Sequence, residues 1–226
     1  MQVTIESGPA FSYAEITLPA DGSVRLEAGA MAATRGDVEI QTSTRGGFLS
    51  GLKRTLGGES FFVNDFTSKS GGSVGAAAVL PGDMTVVKLG GQELFVQSGG
   101  WIASDTSVAV DSSWGGAKGF FSGAGLVLLR CSGEGDVLIA AYGAIRELTL
   151  TAGEHLTLDT GHIVAFDPTV QYGIRKAGGS WKTTLLGGEG LVCDFTGPGR
   201  VWMQTRSSTD LIGWLDTHLP RHDSGN

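Results

Sequence analysis

Within this chain of 226 residues, a few constellations have the residue types that chemistry requires. Gly71-Gly72-Ser73-Val74-Gly75 fits G-x-S-x-G, the pattern that in hydrolases holds a nucleophilic serine on a strained turn between strand and helix. Here the flanking runs read as strand, and the corresponding places further along the chain hold Asp136 and Arg200, so a plain Gly-Ser turn is expected. Gly46-Gly47-Phe48-Leu49-Ser50-Gly51-Leu52-Lys53 has the glycine spacing of a phosphate loop, but Leu52 stands where a lysine must follow the second glycine. His218 and His222 are four apart, yet Pro220 between them breaks the helix that would put both on one face. His155 and His162 have Asp159 and Asp167 nearby, whereas a metal site needs three or four convergent ligands. Glu134 near Asp136, and Glu189 near Asp194, are carboxylates of the kind that do acid and base work, but such pairs are ordinarily solvated strand edges. The sequence therefore predicts no catalytic residue, no metal, no cofactor and no enzyme.

The elements that carry these residues read as β. Charged residues are 17% of the chain and glycines 37 in number, without a triplet period and among apolar runs such as Leu126-Val127-Leu128-Leu129, which excludes coiled coil, collagen and low-complexity tail. A chain of this length buries about 70% of its surface on folding, enough for a core without staples. A net charge of −7 argues against a nucleic-acid partner, whose footprint would be basic. No basic leader precedes a long apolar stretch and no run of about 18 apolar residues occurs, so neither export signal nor membrane span is expected. Cys131 and Cys193 each lie in an apolar run, where a thiol packs as a small hydrophobe, and a cytoplasmic placement is expected.

A Gly-rich segment recurs with Leu56-Gly57-Gly58, Phe121-Ser122-Gly123 and Leu186-Gly187-Gly188, which begin at 56, 121 and 186, 65 residues apart each time. Gly29-Ala30-Met31-Ala32, Gly99-Gly100-Trp101-Ile102-Ala103 and Gly161-His162-Ile163-Val164-Ala165 precede them, with a double glycine between the two markers at 46–47, 115–116 and 178–179. This order predicts one compact domain of three repeats, residues 1–72, 73–135 and 136–207, in which Gly58, Gly123 and Gly188 set the backbone shape. Short runs such as Val24-Arg25-Leu26-Glu27 and Glu93-Leu94-Phe95-Val96-Gln97 alternate with period two, Val137–Ala141 reads as a strand buried on both faces, and turn signals fall at 20–22, 81–83, 90–91 and 197–199. Regular short strands with Gly-rich turns predict a sandwich or barrel. Leu211, Ile212, Trp214, Leu215 and Leu219 at helical spacing, after Ser208-Thr209-Asp210, predict one C-terminal helix over 208–220, packed on the sheets.

With these residues in view the sequence resembles the mitochondrial-biogenesis (altered inheritance of mitochondria) family, long known as a domain of unknown function. The resemblance lies in Gly46 to Arg54 with Gly58-Glu59-Ser60-Phe61-Phe62, in Gly119-Phe120-Phe121-Ser122-Gly123, in Gly161 to Asp167, and in Gly187-Gly188-Glu189-Gly190-Leu191 through Gln204-Thr205-Arg206. It implies an all-β fold of three β-sandwich units similar to the tryptophan RNA-binding attenuation protein, arranged around a pseudo-threefold axis, and it implies no reaction. One departure is Ala124, where the outer repeats have Glu59 and Glu189.

Such an axis would gather the apolar Gly-rich segments at one end of the molecule: Phe48, Leu49 and Leu52, then Phe120 and Phe121, then Trp181 and Leu185. Exposed, they would form a self-association or partner surface, with Lys53 and Arg54 at its rim for an acidic partner or a membrane headgroup; folded inward, they would cap the core. The expectation is a soluble, non-enzymatic scaffold or interaction protein that forms homo-oligomers or binds a protein partner. The alternatives are a small-ligand or nucleic-acid binding module by analogy of fold, and an enzyme whose site is assembled between repeats.

Overall fold

The computed structural model describes residues 1–42, 63–111, 120–121, 126–177 and 190–219. Among these residues the chain is all-β apart from two single-turn 3-10 helices and one C-terminal α-helix. Alternation dictates the first strands: Ala14, Ile16 and Leu18 turn inward while Tyr13, Glu15 and Thr17 do not, and Val24 and Leu26 do the same in the next strand.

One sheet runs β1 (Gln2–Glu6), β2 (Tyr13–Leu18), β7 (Gly72–Ala77), β4 (Met31–Gly36). A second runs β5 (Glu39–Thr42), β6 (Val63–Ser68), β3 (Gly22–Glu27), β10 (Trp101–Ser104), β14 (Asp136–Ala140), β8 (Met84–Lys88). The third is β11 (Ala109–Asp111), β13 (Leu126–Ser132), β9 (Glu93–Gln97), β17 (Ile163–Phe166), β20 (Gly199–Gln204), β15 (Ile145–Leu150), with the two residues of β12 (Phe120–Phe121) beside β13. The last has three strands, β16 (His155–Asp159), β19 (Leu191–Thr196), β18 (Gln171–Lys176). Among the described residues every ladder between these strands is antiparallel, and a lone parallel bridge joins Gly82 to Gly143.

Two of the sheets are joined across long stretches of sequence. β10 lies against β3 with Ala103 opposite Leu26 and Ser104 opposite Arg25, and β17 lies against β9 with Ala165 opposite Val96 and Phe166 opposite Phe95. Both joint strands are buried at all four residues, which is why Trp101-Ile102-Ala103-Ser104 and Ile163-Val164-Ala165-Phe166 read as apolar runs rather than alternating ones. Each carries a bulge two residues ahead of its joint, between Trp101 and Ala103 and between Ile163 and Ala165; β4 has one between Met31 and Ala33. A bulge sharpens the local twist of the strand just ahead of the residues that meet its distant partner.

The core is three apolar clusters that follow this sharing. The first holds Ile16, Val24, Phe66 and Val74 together with Ile102 and Leu138. The second places Trp101, Val137 and Ile139 against Val164, Ala165 and Trp202. In the third, Phe95 and Leu128 meet Phe166, Phe195 and Val201. Val137–Ala140 and Ala141 are buried, as the unbroken apolar run predicts, and so are Cys131 and Cys193. Turns form at Asp21, at Gly90-Gly91 and at Gly199, all with positive φ.

The C-terminal helix α1 (Ser208–His218) is present, but its packing differs from the expectation. Its N-cap is Ser207, whose hydroxyl accepts from Asp210 N, one residue earlier than the sequence suggests. No residue of α1 is buried, Ile212, Trp214 and Leu219 are exposed, and its main contact is with the turn Thr160–His162. The apolar positions spread too widely around the helix for one contact line to cover them; Leu211 and Leu215, four apart, are the half-buried pair.

Candidate interaction surface

Of the residues the sequence nominates, Phe48, Leu49, Leu52, Lys53, Arg54, Trp181 and Leu185 lie outside the described residues, as do Gly58, Gly123 and Gly188. Phe120 and Phe121 are described as backbone and pair with Val127 and Leu126. Ser73 sits inside β7, not at a strand-to-helix turn, and its hydroxyl donates to Glu15 Oε1 at 2.8 Å. His162 Nδ1 donates to the carbonyl of Gln204 at 2.7 Å, and His155 Nδ1 lies 3.0 Å from the Thr196 hydroxyl. His218 stacks on Trp214 with ring centroids 4.4 Å apart, while His222 lies outside the described residues. Asp194 takes the guanidinium of Arg175, which with the Thr157 hydroxyl holds its carboxyl below the usual range. Among the described residues no three His, Cys, Asp or Glu side chains are placed so that they could hold a metal ion.

What the fold brings together instead is a pair of unfinished sheet edges. β4 ends the first sheet and β16 ends the last, each with no strand on its outer side among the described residues. The contrast with the joints is large, since all six residues of β4 are exposed whereas all four of β10 and of β17 are buried. Met31, at the place of Trp101 and Ile163 ahead of the bulge, is 38% exposed. In β16 Leu158 faces the core, Leu156 is half-buried, and His155 and Thr157 are open. A row of unpaired N–H and C=O groups at such an edge is a template for another strand. Sequence reading missed this surface because Met31-Ala32-Ala33 looks like the buried joint strands, down to the alanine shared by Ala33, Ala103 and Ala165.

A cleft of about 270 Å³ lies beside α1, lined by Gln97, Asp159, Gly161, Gln204, Ser207 and Asp210 among others. Asp159 and Gln204 on its wall are engaged within the chain. Asp159 Oδ1 accepts from Gly161 N, Gln204 Nε2 donates to Gly161 O, and Gln204 Oε1 accepts from Tyr142 N.

Comparison with known proteins places this architecture. The family model described as mitochondrial biogenesis AIM24 matches residues 3–206. The chain belongs to the AIM24 family. An uncharacterized protein of Streptococcus pyogenes serotype M6 is 29% identical over 230 residues, which span 97% of this AIM24 chain and 92% of that relative. A protein of Streptococcus pyogenes solved by X-ray crystallography superposes with a TM-score of 0.78 at 27% identity, over 96% of this chain and 99% of the other. The family was legible in the Gly-rich segments, which fall mostly outside the described strands. No helix among the described residues is long and apolar enough to cross a membrane.

The two thiols of this AIM24 chain give a direct test of the core. Burial pushes Cys131 and Cys193 from about 9 up to about 12. The nucleophile is the thiolate, so Ellman's reagent at pH 8 is expected to titrate neither thiol in the folded protein and both in guanidinium. Both pKa values are raised on folding, so the unfolded state loses its protons first. Stability is therefore expected to hold below pH 9 and to fall as the pH rises from 9 toward 12, read by urea titrations at stepped pH. Labelling of either thiol in the native protein within minutes would overturn the assignment.

Proposed function

We propose that this chain is a soluble, cytoplasmic, non-enzymatic scaffold that associates with itself, built of three equivalent β-sandwich units of the attenuation-protein type joined in series, the third joint of a pseudo-threefold arrangement, β16 with β4, being left open among the described residues. The observation that carries the reading is the sharing of sheets along the chain, with β3 joined to β10 and β9 joined to β17 in the same two-residue register. Recurrent detail supports the equivalence of the units. After β10 the Asp105 N–H donates to Asp136 O and its carboxylate accepts from Asp136 N, and after β17 Asp167 does the same with Arg200. Val108 and Val170, three residues on, each close a turn onto that aspartate's carbonyl. On this reading the units divide in the turns at 78–83 and 141–144 rather than at 72/73 and 135/136, because β7 and β14 belong with the strands that precede them. Units that add to one another by continuing a sheet suit assembly rather than turnover.

Light scattering after size exclusion, over a dilution series, tests the reading. Particles heavier than the 23.4 kDa chain are expected. A monomer at every concentration up to about 100 μM, an association too weak to matter, would overturn it. The apolar Gly-rich segments around Phe48 and Phe121 are the contacts that the sequence nominates for this association. Phe48→Asp with Phe121→Asp reports on them separately.

A further inference from the structure

We infer that β4 of one copy pairs, antiparallel, with β16 of a second copy, Ala33 opposite Leu158 and Thr34 opposite Thr157, so that copies join head to tail. This rests on the self-association proposed above and names its surface. Of the other edge strands, β5, β11 and β18 match one another and β8 matches β15, while β1 covers β2, the strand that matches β8 and β15, and has no counterpart of its own. β4 and β16 differ. The strands that match β4 by their bulge, β10 and β17, are both joined to a neighbour, and so are β3 and β9, which match β16 in their pairing with the long strands β6, β13 and β19. The chain thus makes the same joint twice and carries both halves of a third, one at each end.

The register follows by counting. Leu26 and Val96 each stand five residues before the first residue of the bulge, Met31 and Trp101, and Leu158 stands five before Ile163. Their partners in the joints are Ala103 and Ala165, two residues after the bulge begins, and the matching residue of β4 is Ala33. Alanine at all three places has a physical reason: the joint brings two backbones to strand spacing over a core already filled by Leu26 or Val96, both fully buried, and a larger side chain would not fit. In β4 that alanine is exposed between the small, uncharged Ala32 and Thr34, and the charge of the strand is Arg35, beyond the two paired positions. A second copy is the occupant that fits, because the surface β4 is built to meet is already present at the far end of the same chain. Such a contact is heterologous, and it yields a ring if the rotation closes and a filament if it does not.

Thr34 and Thr157 are both exposed, so cysteine at each is tolerated, and directly opposed strand residues lie about 4.5–5.5 Å apart, within reach of a disulfide. Under oxidation Thr34→Cys with Thr157→Cys is expected to give a ladder of dimers, trimers and larger species on non-reducing gels; the native thiols, being buried, stay out of the reaction. Ala33→Lys is expected to raise the dissociation constant for assembly about tenfold or more while leaving the far-UV circular dichroism unchanged. Dimers from the single Thr34→Cys variant, or a monomer closed by an internal disulfide, would overturn the pairing. An assembly that neither cross-links nor responds to Ala33→Lys would overturn it as well and leave the scaffold reading standing. A parent chain that is monomeric throughout would sink both. Should Ala33→Lys fail to fold, the cysteine pair still decides.

Discussion

Replacement of Phe166 by alanine is expected to cost about 3–5 kcal/mol, the usual range for deleting a fully buried aromatic ring. Phe166 has no exposed surface and belongs to the joint between β17 and β9, where it stands opposite Phe95. Its ring lies 5.3 Å from that of Phe95 and 5.2 Å from that of Phe195, both edge to face, and 4.8 Å from that of Tyr172. Those geometries add to simple burial, because the positive ring edge meets a negative face. The space left behind is walled by rigid strands from two stretches of chain, so it closes poorly. Urea titration should show a lower midpoint with an unchanged slope, whereas Trp214→Ala on exposed α1 should leave the midpoint within error. A loss below about 1 kcal/mol would mean that the joint is not packed as described.

Gly82→Ala is expected to destabilise by about 1–3 kcal/mol or more, as overpacking against atoms that cannot move aside. A methyl group at Gly82 would sit 1.8 Å from the carbonyl oxygen of Ala141 and 2.8 Å from Gly143 N and O, all backbone. The crowding is built into a knot of main-chain bonds: Ser12 N donates to Gly82 O, Asp83 N to Gly143 O, Gly143 N to Pro81 O and Ala141 N to Asp83 O. No neighbour can shift without breaking one of these. Gly173→Ala is the matched control, since a methyl there meets nothing within 4 Å and the backbone needs no positive φ. It is expected to be neutral or to stabilise by up to about 1 kcal/mol, by narrowing the unfolded ensemble. The Gly82→Ala melt should therefore fall while that of Gly173→Ala stays or rises, and equal melts would refute the close approach.

These two sites mark what the sequence discloses and what it withholds. Pro81-Gly82-Asp83 announces a turn through its residue types, and Glu93–Gln97 and Val137–Ala141 announce strands through their periodicity. A local pattern reports which way a side chain faces, but not which distant strand lies alongside. Nothing near Gly82 in the sequence indicates that Gly143 will press against it, and nothing in Met31-Ala32-Ala33 distinguishes an open edge from the buried joints that share its pattern. Periodicity likewise found α1, while its apolar residues suggested a contact that the end of the chain does not make. Of the apolar Gly-rich segments that carried the first functional reading, all but the backbone of Phe120 and Phe121 lies outside the described residues, and the surface that replaced them depends on pairings between residues about 70 apart.

The way the sheets straddle successive stretches of chain also sets how the protein opens. In an array of self-contained modules, one can melt while its neighbours stand, and the free energy of opening varies from module to module. Here residues 84–140 contribute strands to two sheets and apolar side chains to all three clusters. Unfolding that segment strips one partner from β3 and another from β17, so its opening free energy approaches that of the whole molecule. Slow amide exchange should accordingly concentrate in the middle third of the chain, with β1 and α1 left as the fast-breathing extremities.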